Sequence, residues 1–313
     1  MTEYAYVFPG QGSQSVGMAS AWQEHQATLD EVFGIAAEIL GYDLGELVAN
    51  GPEVDLNRTE VTQPAMLCAG VASWRIASSS GGMPAPAVMA GHSLGEYTAL
   101  VCAGSIDLAD AIGLVARRGQ LMQSAVAQGE GAMAVIIGLT DEQVVESCAR
   151  VEDGVVEAAN FNAPGQVAIA GESAAVERAM QNAQEMGARR AMPIPVSVPS
   201  HCSLMRGAAE ALGEELAELK IEMPSVPVIH NQNAAPASSP QEIRERLELQ
   251  LYKPVRWVAC VEAIRDRGIA GTIECGPGKV LTGLARRIEK SLRAYAVYDD
   301  ATLASTRQSL QEA

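Results

Sequence analysis

Short apolar runs alternate along this chain with segments of helical periodicity, and that alternation predicts an α/β protein. Tyr4–Phe8 reads as a first strand, ended by Pro9-Gly10 and followed by a Gly-rich polar loop, Gln11–Gly17. Helical patterns cover about 18–40 and 63–79, with breaks at Gly41 and Gly51-Pro52. Ser78–Gly82 reads as a surface linker into a second strand, Pro86–Ala90, and Glu96–Ala103 reads as a helix. A further helix is expected from about 107 to 126, opening on the capping residue Asp107.

From Gly131 the rhythm changes. Ala132–Gly138 is strand-like, Thr140–Arg150 is a capped helix, and Val155–Asn160 and Gln166–Ala170 are strands around an Asn162–Gly165 turn. Ser173–Gly187 then reads as a helix and Arg189–Val196 as a strand. This β-α-β-β-α-β order is ferredoxin-like. It interrupts an α/β chain, so 129–196 is expected to be an inserted small domain. Residues 1–128 and 197–313 would form one large α/β domain with a parallel sheet. The remainder predicts helices near 203–219, 241–251, 255–267 and 279–290, and strands at Val226–Asn231 and Thr272–Cys275. The polar segment 299–313 is expected to fray.

Composition narrows the possibilities. At 48% hydrophobic and 19% charged residues, the chain can bury a large core and is not disordered. A net charge of −16 argues against nucleic-acid binding as its main task. No run is long and apolar enough to span a membrane, and no signal-peptide pattern is visible, so a cytoplasmic location is expected. The six cysteines are scattered without a C-x-x-C pair, which predicts reduced thiols and no metal site.

The candidate chemistry centres on Gly91-His92-Ser93-Leu94-Gly95. A G-x-S-x-G turn between a strand and a helix is a nucleophile elbow: it lifts the serine hydroxyl above the sheet and aims the next amide at the same point. A serine nucleophile needs a base. His201 and His230 are candidates, each read as following a strand, and His201 is favoured because it lies at the exit of the inserted domain. No Asp or Glu adjoins His201 in sequence, so a Ser-His-Asp triad is not evident, and a backbone carbonyl or an amide oxygen could orient its ring instead. In the 107–126 helix, Leu108, Ala111, Ile112, Val115, Gly119 and Met122 share a face. Arg118 sits at its edge, where a guanidinium needs an anion, either an internal carboxylate or part of a substrate.

Together these residues resemble the malonyl-CoA:acyl carrier protein transacylases. The matching stretches are Phe8–Gln14, Gln63-Pro64-Ala65, Gly91–Glu96, Arg118-Gly119, Asn160–Gln166, Val198–His201, Gln250-Leu251 and Gly276–Lys279, in the family's order over nearly the whole chain. The resemblance implies an α/β-hydrolase-like large domain and a role for each matching residue. Ser93 would carry the malonyl ester, His201 would be its general base, and the Gln250 main-chain oxygen would orient that base. The Gln11 and Leu94 amides would form the oxyanion hole, Arg118 would clamp the malonyl carboxylate, and Asn160 and Asn162 would line the cleft. It implies no cofactor and two partners, malonyl-CoA and an acyl carrier protein, with a monomeric enzyme expected. A carrier of acidic surface would dock on a local basic patch, for which Arg189, Arg190, Arg206, Lys279, Arg286, Arg287 and Lys290 are candidates. Relatives in polyketide systems carry Phe before the histidine, whereas this chain has Ser200, so selectivity for malonyl would rest mainly on Arg118. The competing readings are a serine thioesterase or esterase using the same Ser-His pair, and a non-catalytic carrier-binding scaffold.

Overall fold

The computed structural model describes residues 2–127, 129–196 and 198–312. The central strand β1 (Tyr4–Phe8) is buried throughout and alternates strictly: Tyr4, Tyr6 and Phe8 enter one apolar cluster, Ala5 and Val7 another. Helices therefore cover both faces of the sheet that β1 anchors. Those on the first side begin with α1 (Gln26–Leu40), α2 (Leu44–Asn50), the short α3 (Glu53–Leu56) and the long α4 (Thr59–Ser79). Strand β2 (Pro86–Gly91) pairs parallel to β1 and leads through the elbow into α5 (Gly95–Cys102) and then α6 (Leu108–Ser124), which Asp107 caps.

A four-stranded antiparallel sheet comes next: β3 (Gly131–Ile137), α7 (Asp141–Ala149), β4 (Val156–Ala163), β5 (Gln166–Glu172), α8 (Ser173–Glu185) and β6 (Arg190–Ile194). Its strand order is β4-β5-β3-β6, the ferredoxin-like arrangement expected. Helix α7 begins at a Thr140–Gln143 capping box. Helices α7 and α8 cover one face. The other face, with Met133, Ala159, Ala168 and Ala170, packs on Cys202 of the larger body. The edge strand is also tied to that body by an isolated bridge between Asn160 and Val255. The expected domain junctions fall at Gln128 and Ser197, which lie outside the described residues.

After this unit come α9 (Arg206–Glu218), β7 (Val228–Ile229), α10 (Pro240–Tyr252), α11 (Trp257–Asp266), β8 (Gly271–Cys275), α12 (Val280–Ile288), β9 (Arg293–Val297) and α13 (Asp300–Gln311). The large sheet runs β7-β2-β1-β8-β9 with every pairing parallel. Trp257, Val261 and Ile264 of α11 and Leu281 and Leu284 of α12 cover its second face. No helix among the described residues is long and apolar enough to cross a membrane.

Several expectations need correction. The first helix starts at Gln26, because residues 18–25 form successive turns. Residues 44–56 carry helices that the sequence reading left out. Strand β4 continues through Asn162 to Ala163, so only Pro164-Gly165 turn the hairpin. The strand expected over 226–231 is reduced to Val228–Ile229. The terminal segment does not fray: Asp299 and Thr302 form a capping box, and Leu303 and Thr306 are buried. Strand β9, also unforeseen, is the edge on which that helix packs.

Candidate active site

Strand β2 ends at the elbow, where the chain must reverse between the sheet and α5. The Gly91 and Gly95 positions admit no side chain. A Cβ on Gly91 would stand 1.9 Å from the Gly95 carbonyl carbon, and one on Gly95 would stand 2.0 Å from the Phe8 carbonyl oxygen. The left-handed conformation falls on Ser93 itself, at φ 51°. Asn231 holds that conformation in place: its Oδ1 accepts from the Ser93 amide at 2.7 Å, and its Nδ2 donates to the Gly91 carbonyl at 2.6 Å.

His201 reaches Ser93 from the far side of the cleft, with Nε2 2.7 Å from the hydroxyl oxygen. Its Nδ1 donates to the Gln250 carbonyl at 2.7 Å. A carbonyl can only accept, so the proton sits on Nδ1 and Nε2 is left to accept the Ser93 proton. His201 does not directly follow a strand. It sits on a turn at φ 65°, beyond the end of β6, and its amide donates to the Leu251 carbonyl at 2.9 Å. His230, the other candidate base, lies behind the elbow, with Nδ1 donating to Glu96 Oε1 at 2.8 Å.

Burial first, and the Arg118 charge second, push the His201 imidazole down to about 3. An imidazole so depressed is essentially neutral from about one pH unit above that value, so its Nε2 is free to accept a proton across the working range. Acylation by malonyl-CoA, followed by rapid quench, should stay within about twofold from pH 8 to pH 5. A base titrating at 6.5 would lose about 30-fold over that interval.

Arg118 is 1% exposed. Its Nη1 donates to Gln63 Oε1 at 2.7 Å, and its Nη2 to Gln250 Oε1 at 3.1 Å and to Ser93 Oγ at 3.3 Å. The Tyr97 ring lies beneath the guanidinium, 5.4 Å from centroid to carbon. Among the described residues no carboxylate pairs with it, and its Nε has no partner. Burial lowers its affinity for a proton, as it must for a cation whose direct partners are neutral, and the nearby Tyr97 and the Glu96 carboxylate beyond Gln250 offset this only in part. The internal ion pair that the sequence left open is thus absent among the described residues.

Ser93, His201, Arg118, Gln11, Leu94, Asn160 and Asn162 all border one cavity of about 160 Å³. Gln250 stands behind it, touching His201 and Arg118 from outside. The small sheet supplies the apolar wall through Met133, Ala168 and Ile194, joined by Met122 and Val198. Asn162 Oδ1 accepts from His92 Nε2 at 2.8 Å, so its side chain is spent on holding that ring, which also packs on Trp257. Gln11 reaches the elbow because His92 N donates to the Phe8 carbonyl at 3.0 Å, setting the end of β1 beside it.

Sequence reasoning missed Asn231 and Glu96 as parts of this site. Glu96 is fully buried, and its carboxylate accepts from His230 Nδ1, from the Asn231 amide at 2.8 Å and from Gln250 Nε2 at 2.9 Å. A charged residue on the apolar side of an elbow helix was the available signal. The candidate docking cations are partly engaged: Arg287 donates to Gln166, Arg286 donates to the Ala294 carbonyl, and Arg206 stacks on Tyr252.

The acyl transferase domain family matches residues 5–309. The malonyl CoA-acyl carrier protein transacylase of Escherichia coli K12 is 50% identical over 306 residues, covering 97% of this chain and 99% of that one. Among solved structures, an acyl carrier protein S-malonyltransferase from Vibrio cholerae aligns with a TM-score of 0.94 at 53% identity, covering 97% of this chain and 100% of that one. A malonyl-transacylase solved in complex with its type II PKS acyl-carrier protein aligns with a TM-score of 0.96 at 50% identity, covering 98% and 100%. The chain belongs to the malonyl CoA-acyl carrier protein transacylases.

Proposed function

We infer that this protein transfers a malonyl group from malonyl-CoA to the thiol of an acyl carrier protein, supplying malonyl units for fatty-acid synthesis. The observation that carries the reading is the convergence of a serine, a neutral histidine and an anion-seeking guanidinium on one small cavity, with Arg118 Nη2 3.3 Å from the Ser93 hydroxyl oxygen. Ser93 gives its proton to His201 and attacks the thioester carbon. The amides of Gln11 and Leu94 receive the oxyanion, and CoA leaves with the proton from His201. The carrier's phosphopantetheine thiol then attacks the malonyl-serine ester, and the same steps run in reverse. Arg118, held in a fixed fork by Gln63 and Gln250, pairs with the malonyl carboxylate. Asn160 and Asn162 line the cleft, Asn162 by bracing His92.

Size supports a short acyl group. The cavity of about 160 Å³ has room for a three-carbon diacid beside Arg118 and Ser93. Val280 and Gln166 line a neighbouring pocket that shares Gln11, His92 and Asn162 with the active-site cavity; Lys279, next to Val280 in sequence, and Arg287, which donates to Gln166, are the cations we assign to meeting an acidic carrier. We assign residues 1–128 and 197–313 to the catalytic body and 129–196 to the inserted unit, since each sheet is drawn wholly from one of these stretches. The enzyme is assigned to the cytoplasm as a monomer that works without a cofactor.

The deciding experiment is partition of the acyl group. With malonyl-CoA and holo-acyl carrier protein, malonyl-carrier should form at least about 100-fold faster than free malonate. Release of malonate at a comparable rate would assign the site to a hydrolase instead.

A further inference from the structure

The buried Glu96 carboxylate behind the elbow has no role in the chemistry described above. We propose that Glu96 is a positioning residue that fixes the Gln250 side-chain amide, and thereby aims Arg118 at the acyl group on Ser93. The inference rests on the reading of Arg118 as the malonyl clamp.

Glu96 does not border the cavity, so it acts through others. It begins in the first turn of α5, where a carboxylate could simply cap the helix, but its donors come from elsewhere: His230, Asn231 and Gln250. Gln250 Nε2 donates to Glu96 Oε2 at 2.9 Å and to the Ser93 carbonyl at 3.0 Å. Both partners can only accept, so the amide nitrogen must face them. The amide oxygen is then forced toward Arg118, which donates to it at 3.1 Å. Were the amide to turn over, its NH₂ would face a guanidinium that can only donate, and one of the two arms holding Arg118 would be lost. The carboxylate is itself fixed at its other oxygen by His230, which is 1% exposed. Through the Asn231 amide it also steadies the residue that clasps the Ser93 amide. Asn231 keeps its own two bonds to the Ser93 amide and the Gly91 carbonyl, so what Glu96 alone supplies is the orientation of Gln250.

This arrangement predicts loss of discrimination rather than uniform loss of activity. In Glu96→Ala, kcat/KM for malonyl-CoA in acyl-enzyme formation should fall about 30-fold, and that for acetyl-CoA by less than about threefold, as for one buried group left without its partner. Glu96→Asp retains the charge but withdraws it from Gln250, and should shift the malonyl-to-acetyl ratio in the same direction if the alanine variant proves unstable. Glu96→Gln should return both values to within about threefold of wild type. Its oxygen can accept from Asn231 and Gln250, while its NH₂ donates to the other neutral tautomer of His230. Equal losses for both acyl groups in Glu96→Ala and Glu96→Asp, no loss in either, or failure of Glu96→Gln to restore the ratio would each overturn the proposal. Arg118→Ala is the control. If that variant keeps its malonyl preference, the clamp reading itself fails; if it loses the preference while the Glu96 variants keep theirs, only the positioning role of Glu96 fails.

Discussion

Ser93→Ala should form no malonyl-enzyme. Intact-mass spectrometry after incubation with malonyl-CoA should show one added malonyl group on the wild type and none on the variant, and transfer to the carrier should fall by about 10⁴-fold or more. The size of the effect follows from the sequence of steps. In the proposed mechanism both half-reactions pass through the Ser93 ester, so removing the oxygen removes the route and not only a contact. The substitution spares the fold. Alanine keeps the same Cβ at the same left-handed backbone position, and Asn231 binds the amide of residue 93 and not its side chain. Ser93 is partly buried and lines the cavity, so loss of its hydroxyl opens no void in the core. A variant that still acquired malonyl would move the nucleophile to another residue. Persistence of transfer without any adduct would instead indicate direct attack by the carrier thiol.

Arg118→Ala should reverse the acyl preference. Its kcat/KM for malonyl-CoA should drop by about 3–4 kcal/mol, roughly 10²–10³-fold, because the malonate carboxylate then enters a desolvated site without a counter-charge. The same change should raise the rate with acetyl-CoA. In the wild type a neutral acyl group leaves a buried cation whose donors meet only amide oxygens and a hydroxyl, with no carboxylate in direct contact, a state that disfavours binding. Arg118→Lys should recover little, since an ammonium cannot bridge Gln63 and Gln250 while presenting two parallel donors to a carboxylate. Steady-state kinetics with both thioesters check this, alongside thermal melting to confirm that the truncated side chain has not loosened α6. An unchanged preference would mean that another group reads the malonyl charge.

How much of this was visible in the sequence depended on how local each determinant is. The elbow was legible because strand, glycine, serine, glycine and helix follow one another within a dozen residues. Arg118 was legible as an anomaly, a guanidinium beside an apolar helix face, but what it faces depends on Gln63 and Gln250, 55 and 132 residues away. The β-α-β-β-α-β unit could be read off because its hairpins and helices are sequential neighbours. Glu96 and Asn231 escaped notice because they meet 135 residues apart, and nothing near either one announces the partner. The terminal helix was a different kind of miss. Its polar surface suggested fraying, while the Asp299–Thr302 cap and the buried Leu303 that hold it were present in the sequence. In that case local polarity was weighed above a capping signal that should have prevailed.

The left-handed backbone at Ser93 has a bearing on engineering. A non-glycine residue held there costs on the order of 1–3 kcal/mol, which glycine would escape while giving back roughly 0.5–1 kcal/mol in chain entropy. The position proposed to perform the chemistry is therefore one where a more heat-resistant protein is a single substitution away. A selection for thermal endurance alone, blind to turnover, would favour erasing the hydroxyl that the rest of the fold is arranged to present.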